Sequence, residues 1–301
     1  MKVYLSIVPE LPDVTVYIES LQVRIVGHEL RRVRILNPFF LRTAVPPIAS
    51  AEGLKVTGLR RLGKRIVVAL QGELFLVLHL MIAGRLRWLE GKAKAPGRIT
   101  LALLEFDNGS LAVTEAGTRR RASLHFVHGE EALLAMDPGG ADVLALGLAE
   151  FQSKIKSENH TLKRALTDPR LFSGIGNAYS DEILHRARLS PVALTSSLDE
   201  HEVKRLHEAT RSVLSEWIER LRSQSAGGFP EKVTAFREEM AVHGRFGKPC
   251  PACGSPVQRI VYAENETNYC ARCQTGGRIL ADRALSRLLK KSWPRNIDEL
   301  D

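Results

Sequence analysis

Cysteine is scarce: four residues in a chain of 301, all between positions 250 and 273. That confinement excludes a framework of scattered disulfides. Long apolar runs are missing too. The longest, residues 74–83, carries His79 inside it and stops at ten residues, whereas a membrane-spanning helix needs about 20. Such a length suits a buried strand, and no membrane partner is expected. There is no repeat with a period of about 20–50 residues and no low-complexity tract, which excludes a solenoid. Acidic residues are in deficit, 34 against 43 Lys and Arg, leaving a formal charge of +9 that favours a polyanionic partner such as nucleic acid. Charge alone is a modest argument, because basic proteins also occur that merely stay soluble. Residues 1–8 hold one Lys and a short apolar patch, too short for a secretory signal. A cytosolic location is therefore expected, where paired Cys-x2-Cys motifs more often bind zinc than form disulfides.

What is present has the balance of a globular protein, 44% hydrophobic and 26% charged, and the length predicts about two domains. Residues 14–27 repeat Val14, Ile18, Leu21 and Ile25 at helical spacing, with Asp13 as the expected N-cap and Gly27 as the stop. From 31 to 108 the texture turns to short β-rich runs at 33–36, 66–70, 75–80 and 99–106, punctuated by Gly, Pro and Asp-Asn-Gly. A turn cluster at 137–140 marks a boundary, beyond which 144–151, 162–166, 178–187 and 200–221 read as helices. Gly227-Gly228 breaks the run, and residues 280–291 read as a short basic helix. The whole is α+β.

Two Cys-x2-Cys knuckles, Cys250/Cys253 and Cys270/Cys273, lie sixteen residues apart and fit four thiolates converging on one Zn2+. Four thiolates leave no open position for water, so the expected zinc is structural. Arg245, Lys248, Arg259, Arg272 and Arg278 around it suit either a phosphate backbone or a solvated face. Upstream, Gly174-Ile175-Gly176-Asn177 sits between two helical patterns. Glycines at a helix entrance let backbone amides approach a phosphate, and Lys163 and Arg164 lie on the preceding helix.

In order along the chain, Pro9-Glu10-Leu11-Pro12-Asp13-Val14, His79-Leu80 with Gly84-Arg85-Leu86, the 174–184 stretch and the terminal four-cysteine finger resemble the formamidopyrimidine-DNA glycosylase and endonuclease VIII family. The resemblance spans roughly residues 8–274. It implies an N-terminal β-sandwich domain with flanking helices over 9–137, a helix-two-turn-helix domain over 138–242, a four-cysteine zinc finger over 243–275 and a basic C-terminal extension over 276–301. The implied partner is double-stranded DNA with a damaged base or abasic site, held between the domains by a monomer, the lesion flipped from the stack. The implied activity is a bifunctional glycosylase and lyase of base-excision repair. Pro9 is the nucleophile that forms a Schiff base before β,δ-elimination, Glu10 its acid/base partner and Lys64 a catalytic lysine of the sheet domain. Asn177 and Lys163 match phosphate-facing positions, and Glu182 an acidic position of the same helix. Ile82 stands where the family has a void-filling Met, Arg119-Arg120-Arg121-Ala122 where it has Arg-Arg-Phe, and Asn265 where a zinc-finger Arg contacts phosphates. A neutral amide supplies no charged fork. Thirteen residues between Gly228 and Val242 are few for a loop that caps an oxidised purine, which leaves oxidised purine and oxidised pyrimidine both open.

The chemistry makes one demand that the written sequence does not meet. An internal proline nitrogen is an amide delocalised into its carbonyl and cannot form an iminium, so Pro9 needs a free amine. Val8 occupies the position of the family's initiator Met, and a GTG codon reads as Val inside a frame but as Met when it initiates, so the expected start is residue 8. Glu115 and Glu238-Glu239 read as solvated faces and His79 as a core histidine, while His201, His207 and His243 show no metal spacing. Two other classes remain in view. A catalytically silent damaged-DNA-binding protein of the same fold would account for Asn265 and the missing Phe, and a zinc-ribbon RNA factor would account for the charge and the cysteines alone.

Overall fold

The computed structural model describes residues 8–91, 97–116, 120–231, 237–262, 265–281 and 294–299. It divides into two compact units, Met1–Gly139 with Trp217–Ala235, and Gly140–Glu216 with Phe236–Asp301.

In the first unit, α1 (Leu11–Ile25) begins earlier than the apolar spacing suggested. Pro12 fits the first turn, whose N–H groups have no intrahelical acceptor, so the N-cap moves up to Glu10 and Asp13 becomes the third helical residue. The Asp13 carboxylate accepts the Glu10 amide at 2.9 Å. Val14, Tyr17, Leu21 and Ile25 form the buried stripe.

Eight antiparallel strands follow: β1 (Glu29–Ile35), β2 (Leu54–Leu62), β3 (Arg65–Leu70), β4 (Leu74–His79), β5 (Gly84–Leu89), β6 (Thr100–Phe106), β7 (Ser110–Glu115) and β8 (Ser123–His128). Their order is β5-β7-β6-β1-β2-β3-β4-β8. β1 and β2 share only two register pairs, Glu29↔Lys55 and Leu30↔Leu54, so this short pairing joins two four-stranded halves. The Arg42 amide donates to Leu124 O at 2.8 Å and the Phe126 amide to Thr43 Oγ1 at 2.8 Å, fastening segment 41–43 to β8. On the other face of β3 and β4, Val67, Phe75 and Val77 pack with Leu62 under Leu133 of α2 (Glu130–Leu134). Both faces of these strands are covered, which is why they read as continuous apolar runs.

The second unit holds α3 (Leu148–Lys156), α4 (Leu162–Thr167), α5 (Asn177–Ala187) and the first turns of α6 (Glu200–Ser225), whose last turns belong to the first unit. α3 starts later than the expected 144 because Asp142 Oδ1 takes the Leu144 amide in a turn, and Glu150 reaches back to the Gly147 amide at 3.1 Å to open the helix. Beyond it come the hairpin β9 (Gln258–Tyr262) and β10 (Asn265–Tyr269) and the short α7 (Ala271–Thr275). Of the basic helix expected over 280–291, residues 280 and 281 are described and are not helical; 282–291 lie outside the described residues. Among the described residues, no helix is long and apolar enough to cross a membrane.

Candidate functional site

Pro9 is buried, and Glu10, 1% exposed, caps α1 directly after it. Lys64 sits in the β2–β3 turn behind Gly63, whose φ of 62° the tight reversal requires. The next residue, Arg65, pairs in register with His79 at the end of β4. Burial, with the charges of Arg65, Lys64 and His125, pushes the His79 imidazole down to about 4, so it is neutral at pH 7. Lys64 and Arg65 therefore form a cationic pair beside an uncharged His79. Ile82 sits in the following turn, where Met81 takes a φ of 51°. Gly84 closes that turn by donating to Leu80 O at 3.0 Å.

Arg119 lies outside the described residues. Arg120 is exposed and donates through Nη2 to Arg98 O at 2.8 Å. The Arg121 and Ala122 amides donate to Glu115 Oε1 and Oε2 at 3.0 and 3.1 Å. Glu115, expected on a solvated face, is only 1% exposed. The chain returns within seven residues to bring it two amide donors, and this gives the arginine segment a fixed anchor. Glu238 and Glu239 are exposed as expected but lie in a turn rather than a helix.

In the second unit, Gly174 adopts a φ of 89° and Gly176 is the N-cap of α5, so Asn177 is the first helical residue. Its Nδ2 donates to Glu266 O on β10 at 2.8 Å. Lys163, on α4, is held inward rather than standing out from the surface: its Nζ donates to Asn177 O at 2.7 Å and pairs with Asp181 Oδ1 at 2.5 Å. Asp181 is fully buried and also takes His243 Nδ1 at 2.8 Å and the Asn268 amide at 3.1 Å. Its neighbour Glu182 accepts the amides of Ala241, Val242 and His243 at 2.7, 2.9 and 3.0 Å. Two adjacent carboxylates on α5 thus carry the base of the cysteine module. Sequence reasoning did not find Asp181 or the part played by His243; the available signal was the acidic pair Asp181-Glu182 set between Ala178 and Tyr179 on one side and Ile183 and Leu184 on the other. The backbone of Asn265 pairs with Tyr262 at the tip of the hairpin.

The ligand atoms of Cys250, Cys253, Cys270 and Cys273 all lie within 4.8 Å of one another. His185 Nε2 stands 3.2 Å from Cys250 Sγ, an outer partner of the kind that orients a metal thiolate. Burial raises the Cys253 thiol, but hydrogen bonds from Ser255 and Cys270 outweigh it and bring the thiol down to about 6. A sulfur-only set from two tight knuckles suits a closed tetrahedral zinc site and offers no open coordination position.

Comparison with known proteins decides the family. The Formamidopyrimidine-DNA glycosylase N-terminal domain matches residues 8–124, the Formamidopyrimidine-DNA glycosylase H2TH domain residues 134–226, and the zinc finger found in FPG and IleRS residues 247–276. The formamidopyrimidine-DNA glycosylase of Thermus thermophilus is 36% identical over 282 residues, covering 89% of this chain and 99% of the relative. The chain belongs to the formamidopyrimidine-DNA glycosylase family. A second relative, an uncharacterized formamidopyrimidine-DNA glycosylase-like protein of Mycobacterium tuberculosis, is 42% identical over 152 residues, half of this chain and 94% of the relative. The crystal structure of the Thermus thermophilus Fpg protein superposes with a TM-score of 0.74 at 35% identity, covering 88% of this chain and 98% of that one. The Lactococcus lactis Fpg structure, 24% identical with a TM-score of 0.78 over 88% and 99% of the two chains, shares the fold. The β-rich domain, helix-two-turn-helix domain and zinc finger expected from the sequence are therefore those of the Fpg fold.

Proposed function

We propose that the protein is a base-excision-repair DNA glycosylase with lyase activity, acting on double-stranded DNA that carries an oxidised base or an abasic site. The observation that carries this reading is the position of Pro9 and Glu10. They open the matched glycosylase domain, which begins at residue 8, and the buried Glu10 heads α1 beside the proline nitrogen. The Lactococcus lactis relative is known in complexes with abasic-site DNA and with DNA containing Fapy-dG, which supports DNA as the partner.

In the reactive form, Pro9 nitrogen is a free secondary amine. Its lone pair attacks the sugar C1′ as the glycosidic bond breaks and that electron pair leaves with the base. Glu10 handles the accompanying protons. Loss of the amine proton and opening of the sugar ring give an iminium between Pro9 and C1′. That cation acidifies the adjacent C2′ proton, whose removal expels the 3′ phosphate; a second elimination expels the 5′ phosphate. Lys64, close to the neutral His79, contributes positive charge on the same domain. Asn177, at the amino end of α5, offers donors to a backbone phosphate. Arg119, Arg120, Arg121, Ile82 and Asn265 are assigned to DNA contact, the first four filling the space that a flipped nucleotide leaves. One structural Zn2+ held by the four cysteines gives the hairpin a fixed base. The protein acts as a monomer.

The test is strand scission by protein with a free Pro9, on duplexes carrying an abasic site, 8-oxoguanine or an oxidised pyrimidine. Cleavage with β,δ-elimination ends is expected. Selective binding without scission would favour a silent damaged-DNA-binding protein instead.

A further inference from the structure

The zinc-finger match ends at residue 276, and the described residues beyond it, 277–281 and 294–299, lie against the metal module. The described parts of this segment fold back onto the hairpin. The Ile279 amide donates to Arg295 O at 2.9 Å, the Ile297 amide to Gly277 O at 2.8 Å, and Arg278 bridges to Asn296. The Leu280 amide donates to the Tyr269 hydroxyl at 2.7 Å. Leu280 and Ile297, each 6% exposed, then pack with the fully buried Tyr269 and Ala271 and with Ile260. Arg272 pairs with Asp298 at 2.7 Å across the surface.

The module thus has two cores. One surrounds the thiols, with Val242 and Val257 packed on Cys250 and Cys270. The other contains no metal ligand. A zinc finger of ordinary size has no apolar core large enough to hold its hairpin without the metal. Here Tyr269 and Ala271 flank Cys270 in sequence, and both are fixed by the second core.

We propose that Arg278–Leu280 and Arg295–Glu299 form a clasp that holds the β9–β10 hairpin independently of the metal and slows the release of zinc. Full release of zinc breaks all four zinc–sulfur bonds, the one to Cys270 among them; movement of Cys270 favours that break, and the clasp opposes the movement by pinning the residues on both sides of it. The hairpin then survives transient loss of the metal, and the site can refill.

The full-length protein and its Ile297→Asp and Ile297→Ala variants test this in two ways. The first readout is zinc release to excess chelator, followed with a metal indicator. The expected acceleration is about tenfold or more for Ile297→Asp and a smaller but measurable increase for Ile297→Ala. The second is amide hydrogen exchange over residues 258–269 after zinc removal. Protection is expected to persist in the unsubstituted protein and to vanish in Ile297→Asp. If that variant does not fold, Ile297→Ala carries both readouts. Equal release rates together with equal protection would overturn the proposal, as would complete loss of hairpin protection in the unsubstituted metal-free protein. If the purified protein holds no zinc, exchange alone decides. Neither readout uses DNA, so failure of the glycosylase reading leaves the test intact.

Discussion

Replacing Glu182 by alanine tests whether α5 carries the metal module. The carboxylate takes three amides at 2.7, 2.9 and 3.0 Å, and the residue is 6% exposed. Burial pushes its carboxyl up, and the amides of His243, Val242 and Ala241 pull it back. Alanine removes every acceptor at once and leaves three donors beside a void. A buried donor stripped of its partner costs about 1–3 kcal/mol, towards the upper end for a charged acceptor. Three on consecutive residues relax together and do not add. The released carboxylate also no longer has to be desolvated. The net loss is therefore about 4 kcal/mol. Glutamine keeps one oxygen for Val242 and His243 but turns an N–H towards Ala241, which costs about 1–2 kcal/mol. Urea denaturation of the zinc-loaded protein, with circular dichroism and zinc content read together, gives both numbers. An alanine variant within about 0.5 kcal/mol of the parent, with full zinc retention, would refute the assignment of Glu182 as the fastening point.

Gly84→Ala would place a Cβ 2.1 Å from Leu80 O and 2.8 Å from its carbonyl carbon. Backbone has to move, so the β4–β5 turn that presents Ile82 is expected to lose about 3 kcal/mol of stability; an unshifted thermal midpoint would contradict this. Acid should weaken the fold through His79, which titrates near 6.5 when unfolded but near 4 when folded. The unfolded chain binds the extra proton between those values, so stability falls as pH drops from about 6.5 towards 4, by about 2 kcal/mol allowing for partial solvent access. His79→Gln should flatten that slope in urea midpoints taken at about pH 7, 5.5 and 4.5, and an unchanged slope would exclude His79 as its source. Asn177→Ala should weaken binding to abasic-site duplex by about 1 kcal/mol at constant zinc content, as expected for one lost phosphate hydrogen bond. An unchanged Kd would remove Asn177 from the interface.

Features written in local spacing were legible. The two knuckles predict converging thiols, and the glycine turn predicts a helix entrance at 178, one residue from the observed start of α5 at Asn177. The doubly covered strands β3 and β4 announced themselves as apolar runs. β2 is hidden in the sequence because the consecutive Arg60 and Arg61 break the alternation on which a strand reading depends. The burial of Glu115 is not legible for a different reason: its partners are the Arg121 and Ala122 amides, which only the return of the chain delivers. Lys163 and Asp181 lie eighteen residues apart on different helices, and no periodicity within one helix reveals that they meet. Helix starts shifted where side chains took over the first amides, as Glu150 does at α3.

The central claim is that a free Pro9 amine performs the chemistry. Its most direct test is borohydride trapping on abasic-site duplex, comparing protein that begins at Pro9 with protein that retains residues 1–8. The account predicts a covalent protein–DNA adduct, mapped to Pro9 by peptide mass, only for the first form. Equal trapping by the longer form, or an adduct mapped to Lys64 or another lysine, would contradict it.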